Sequence, residues 1–77
     1  MPRYFFHVSG ASIYRDSDGS VLADDQAAWS HAVSSTGELL RDLDGKLESG
    51  AKIEIIVEDE TGEVVATLAF FGTRSNP

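Results

Sequence analysis

Four carboxylates crowd the stretch DSDGSVLADD: Asp16, Asp18, Asp24 and Asp25. Oxygen donors at alternate positions ahead of a glycine are how calcium loops begin, because a hard cation takes oxygen ligands. The EF-hand loop, however, needs glycine at its sixth position and a bidentate glutamate at its twelfth. Counting from Asp16, glycine falls fourth and the twelfth residue is Ala27. The spacing instead describes a turn, Asp16-Ser17-Asp18-Gly19, and then a helix cap, two places where aspartate serves the backbone. His7 and His31 are the only imidazoles. They belong to different elements, a strand and the polar face of a helix, and share neither a metal nor a proton path. His7 is expected to form a surface ion pair with Glu54 or Glu58. There is no cysteine, hence no thiolate or disulfide. The serines lack the G-x-S-x-G elbow. The LADD before the helix would repel a phosphate. A weak cation site of another kind is the alternative for the four carboxylates; otherwise the residues point to no catalytic group, no cofactor and no metal.

The element that must organise the rest is Asp24 to Asp44, DDQAAWSHAVSSTGELLRDLD. At about 100° per residue, Ala28, Trp29, Ala32, Val33, Leu39, Leu40, Leu43 and Leu47 form one apolar stripe. Trp29 therefore reads as core. Asp24 is the N-cap, Asp25 complements the positive end of the dipole, and Gly45 is the C′ residue, unless the helix runs to Ser49 and stops at Gly50. Gly37 interrupts the helix with no packing reason in the sequence.

Short strands surround it. Arg3–Val8 is aromatic and bounded by Pro2 and by Ser9-Gly10. Ser12–Arg15 is the second candidate, joined by a Ser9-Gly10-Ala11 hairpin. Val21 and Leu22 then lead into the cap and pack over the first turns. After a loop from Asp44 to Ala51, Lys52–Glu58 and Glu63–Phe71 make a hairpin around Asp59-Glu60-Thr61-Gly62. Pairing Glu58 with Glu63 sets Val57 against Val64, Ile55 against Ala66 and Ile53 against Leu68, so that every pair on that face is apolar. The fold expected is α+β, in the order β-β-α-β-β: a four-stranded antiparallel sheet, order 2-1-3-4, with one helix on one face. Residues 1–71 form a single domain and residues 72–77 a frayed tail. The helix face takes Tyr4, Phe6, Val8, Ile53, Ile55, Val57, Ala66, Leu68 and Phe70. The open face keeps Phe5, His7, Ile56 and Val65.

Composition excludes several classes. The chain has 77 residues, 13 acidic and six basic, for a net charge of −7. That balance argues against nucleic acid and anionic lipid as partners. No apolar run reaches the length of a membrane span. The opening MPRYFFHVSG has too few apolar residues for a signal peptide, so a cytoplasmic protein is expected.

The opening MPRYFFHV, the stretch D-S-D-G-x-x-L-A-D into the helix, the segment GELLRDL and the hairpin EDETGEVVATLAF together resemble a family of short proteins of unknown function, spread through rhizobia and related alphaproteobacteria, many of which begin MPRYFFH. The resemblance runs from Met1 to about Phe71 and rests on the order and spacing of its pieces. The chain departs from it between Asp44 and Ile53, where Leu47 replaces a bulkier aromatic residue, and at Ala23, where proline is frequent. It implies a compact bacterial domain and transfers no site residues.

Three functions follow as expectations. The first is a non-catalytic interaction module that self-associates through its sheet, by the open-face residues Phe5, His7, Ile56 and Val65 or by the edge strand Glu63–Phe71. The second is an acidic regulatory protein that docks on a basic partner. An enzyme or small-ligand protein ranks last.

Overall fold

In the computed structural model, which describes residues 1–10 and 13–75, the chain runs β1 (Arg3–Gly10), β2 (Ser20–Val21), α1 (Asp25–Leu43), β3 (Lys52–Glu58) and β4 (Val64–Phe71). All strands are antiparallel, in the order β2-β1-β3-β4, with α1 over β3 and β4. This is the α+β arrangement that the order of elements predicts.

The long central pair explains the alternation. Phe6 faces Val57 and Val8 faces Ile55, all four turned to the helix, while Phe5 faces Glu58 and His7 faces Ile56 on the other side. Tyr4, Ile55 and Val57 form the sheet half of the core. Ala28 and Ala32 form the helix half, and both are fully buried. With only methyl groups at the contact, the helix backbone lies close on the sheet.

That seat corrects the expected stripe. The helix turns its small-residue edge inward: Ala28, Ala32 and Leu39 meet the core, and Ser35 and Thr36 are half-buried. Trp29, read as core, is 45% exposed, and Val33 is 46% exposed. A side chain as large as Trp29 has no room where the helix closes to alanine distance. Asp24 caps the first turn by accepting from the Ala27 N–H at 2.8 Å. The helix ends at Leu43, and Asp44 takes the left-handed conformation before Gly45. Gly37 is exposed, and nothing around it accounts for it.

Two further expectations are corrected. The second strand is Ser20–Val21, paired with Tyr4 and Arg3, and not Ser12–Arg15. Of that candidate only Tyr14 forms a bridge, with Val8, while Ser12 and the Ala11 of the expected hairpin link lie outside the described residues. Leu22 packs against the core but Val21 is exposed. The β3–β4 register is also two residues away from Glu58 against Glu63. The Asp59 carboxylate accepts from the Thr61 N–H, the Thr61 hydroxyl and the Glu63 N–H. Left-handed Gly62 donates to the Asp59 carbonyl, and the Asp59 N–H donates to that of Glu63. The loop is thus three residues long, Asp59 lies opposite Glu63, and Glu58 pairs with Val64. A bulge then absorbs Val65, so that Val57 pairs with Ala66 and Ile55 with Leu68. Each one-residue shift alone would turn β4 over. Together they return Ala66 and Leu68 to the helix face.

The segment expected to fray from Gly72 begins in contact with the loop before β3: the Gly50 N–H donates to the Gly72 carbonyl and the Arg74 N–H to Ser49 Oγ, both at 2.8 Å.

The close seat makes a prediction. Ala32→Leu should destabilise the domain by about 1–3 kcal/mol, since a close-packed contact cannot take the added volume. The same change at exposed Ser34 should move stability by less than about 0.5 kcal/mol. Urea unfolding of the two variants checks this.

Candidate functional site: the His7 cluster and the uncovered edge

His7 carries the chemistry of the open face, and the fold commits it. It is only 9% exposed. Its Nδ1 accepts the Asp16 backbone N–H at 3.1 Å, and its Nε2 lies 3.2 Å from Glu58 Oε1. An accepting Nδ1 places the proton of the neutral ring on Nε2, which donates to Glu58; the tautomer follows from this network. The pair expected at the surface therefore has its imidazole nearly enclosed and its Glu58 carboxylate partly open. Glu54, the other carboxylate named for His7, lies 3.7 Å from Lys52 instead.

Asp16 closes the cluster. Its Oδ2 accepts the Phe6 N–H at 3.1 Å, and its Oδ1 accepts the N–H groups of Gly19 at 3.0 Å and Asp18 at 3.2 Å. Burial tends to raise the pKa of this carboxyl. The N–H groups of Gly19, Phe6 and Asp18 and the nearby His7 outweigh it, and the net pKa is lowered. Gly19 follows at φ 73°, where a Cβ would come within 2.9 Å of Arg3, Tyr4 and Phe5 atoms, so only glycine lets the segment lie this close to β1. Asp16 thus does the work of a missing strand: it satisfies the outer side of β1 with a side chain where β2 has not yet begun.

The arrangement resembles a base with its orienting carboxylate, but both ring nitrogens already have partners within the fold. His31 stands apart on α1, with its ring centroid 4.7 Å from that of Phe6 and tilted by 58°. Among the described residues no group of three or more His, Cys, Asp or Glu side chains could hold a metal ion, and no helix is long and apolar enough to cross a membrane.

Of the open-face residues, His7 and Ile56 are direct neighbours with Phe5 on the same face, and Val65 alone is turned away. Phe5 is half-buried beside Gly19, His7 is enclosed, and Ile56 is half-buried opposite it. Val65 is a correction. As the bulged residue it packs against the core, and Val64 takes the exposed position at 52%. Large apolar side chains lie uncovered at Trp29 and Val33 on the helix, at Val64 and Phe71 (60% exposed) at the two ends of β4, and at Ile13, Tyr14 and Val21 toward the other edge. The signal that would have found the helix pair was the alanine pair beside it, since methyl groups mark the side that approaches a sheet.

Tyr4 links the layers. Its hydroxyl donates to Asp25 Oδ1 at 2.7 Å, at the first turn of the helix. That hydrogen bond first, then burial and the charges of Asp25, Asp24 and Asp59, raise its pKa from 10.0 to about 12.

Stability should therefore fall at both ends of the pH scale. The depressed Asp16 carboxyl contributes stability that is full above its ordinary value of 3.8 and lost as pH falls through the lower folded value. The raised Tyr4 hydroxyl contributes stability that is full below 10 and lost as pH rises to about 12. Thermal melts across pH should show Asp16→Asn reducing the acid limb, of which the Asp59 carboxyl, lowered by its bond from the Thr61 hydroxyl, keeps a part, and Tyr4→Phe reducing the alkaline limb.

No curated protein and no solved structure matches the chain. Residues 3–72, from the first residue of β1 to just past β4, match one family, and the chain belongs to it: the family described as Domain of unknown function (DUF6894).

Proposed function

We propose that this chain is a small, acidic bacterial interaction module, non-catalytic and cytoplasmic, that works by self-association. The observation that carries the reading is the number of large apolar side chains left open on so small a domain: Trp29, Val33, Val64 and Phe71, with Ile13, Tyr14 and Val21 toward the other edge. Domains of this size bury a modest share of their surface, and a partner's surface is one way to add to it. Where the fold does use an ionisable cluster, at His7, Asp16 and Glu58, the groups are spent on holding the 16–19 segment to β1.

A second reading has its own support. The net charge is −7, and among the described residues the ion pairs are His7–Glu58 and Lys52–Glu54. Most carboxylates are therefore available to a basic protein, through contacts that salt would weaken.

Native mass spectrometry on protein purified gently from its own host separates the two readings. The expected result is a multiple of the chain mass. A second, basic polypeptide in the complex that is lost as salt is raised would favour the docking reading. A bare monomer at high micromolar concentration would sink self-association.

A further inference from the structure

We infer that a second copy of this chain adds along β4, joining two sheets into one of eight strands and bringing the Trp29 flanks of the two helices together. This rests on the self-association reading and names its surface.

The two edges of the sheet are treated differently. On the β1 side, Tyr14 exchanges hydrogen bonds with Val8 at 2.8 and 3.0 Å, Asp16 caps Phe6 and His7, and Arg3 binds the Asp18 carbonyl. That edge is short, and its backbone is already engaged by the 14–18 segment, although Ile13, Tyr14 and Val21 stay exposed there. The β4 edge is VVATLAFF, eight residues with no charge and no proline, and the strand order leaves its outer side without a strand neighbour. Soluble proteins usually blunt such an edge with lysine, proline or a covering loop, because it templates strand addition. In a chain with 19 charged residues, an uncharged edge this long fits a seam.

Charge selects a second copy as the occupant. Glu63 immediately precedes β4 and Arg74 follows three residues after it. Antiparallel self-pairing brings the Glu63 end of each copy to the Arg74 end of the other, twice across one dyad, and sets no like charges opposite each other in between. Residues that pair share a face, so the dyad passes through a residue and not between two. With the dyad at Leu68, Ala66 lies opposite Phe70 and Thr67 opposite Ala69, small against large on the helix face and small against small on the open face.

The helix then completes the contact. His31 against Phe6 marks the flank of α1 that looks toward β1. Trp29, Val33 and Leu40 lie on the other side of the helix, toward β4. Strands are about 5 Å apart, so a helix seated between β3 and β4 stands about 5 Å from the seam. Two related helices are then roughly 10 Å apart, the spacing at which helices pack. The half of the apolar stripe that the sheet leaves open thus meets its own copy.

The test is sedimentation equilibrium of the full chain beside the double variant Thr67→Lys/Ala69→Lys, with circular dichroism to confirm the fold. Both sites are exposed and face away from the helix. The expected result is a wild type at twice the 8.3 kDa chain mass and a folded variant at half the wild-type mass. A wild-type dimer that survives the double variant overturns the β4 seam and leaves the self-association reading standing. A wild-type monomer overturns both. Because the chain has no cysteine, a positive test is also open. A Thr67→Cys chain mixed with an isotope-labelled Ala69→Cys chain should form the mixed disulfide on mild oxidation, since directly opposed Cα atoms are about 4.5–5.5 Å apart, within the span a disulfide bridges. A dimeric sample that forms no disulfide through β4 overturns the seam.

Discussion

The contact of Ala28 and Ala32 with the floor formed by Tyr4, Ile55 and Val57 sets the geometry of the rest. Two methyl groups fix the height of the helix above the sheet, and the height fixes which helix residues can be accommodated beneath it. Leu39 fits toward one end, while Trp29 and Val33 are held out at the flank. The same approach brings Asp25 to Tyr4, so that a buried phenol has an acceptor and the start of the helix is tied to the middle of the sheet. Burying that hydroxyl without a partner would cost what an unmade hydrogen bond costs. The helix position and the polar link are therefore one constraint.

A second constraint is the need of β1 for partners on both sides. On one side β3 pairs with six of its residues. On the other, β2 pairs with only Arg3 and Tyr4, and the Leu22 N–H bonds to the Pro2 carbonyl. Backbone groups beyond that would face water or nothing. The chain satisfies them with Asp16 and Tyr14, and it uses the ring of His7 as a further acceptor. The imidazole, the most reactive side chain of the open face, is in this way drawn into the scaffold.

The β hairpin shows how a local side chain can reset a long-range pairing. Asp59 gathers three donors within its own turn and shortens the loop by drawing Glu63 opposite itself. The Val65 bulge restores the facing of the strand after it. The cost is one residue turned from the open face into the core edge, and the gain is a β4 whose remaining length is regular and uncharged. Membership of the family matched over residues 3–72 places all of these devices within the shared domain.

The elements, the Asp24 cap and the Asp16–Gly19 turn were legible in the sequence, because each depends on residues close along the chain: alternation in strands, a 3.6-residue period, a carboxylate beside free N–H groups; the strand order followed from placing the two most apolar strands centrally. The enclosure of His7, the register beyond Asp59 and the exposure of Trp29 were not. Each depends on a distance between elements. An apolar stripe wider than its contact can be seated on either edge, and only the packed structure chose the alanine edge. The alternation of Glu63–Phe71 is compatible with two registers of the same facing, and only the Asp59 hydrogen bonds with the bulge selected one. Local chemistry determined which elements form. The requirement that they fit together without voids or unpaired polar groups decided which faces remain open, and so where this protein can meet another.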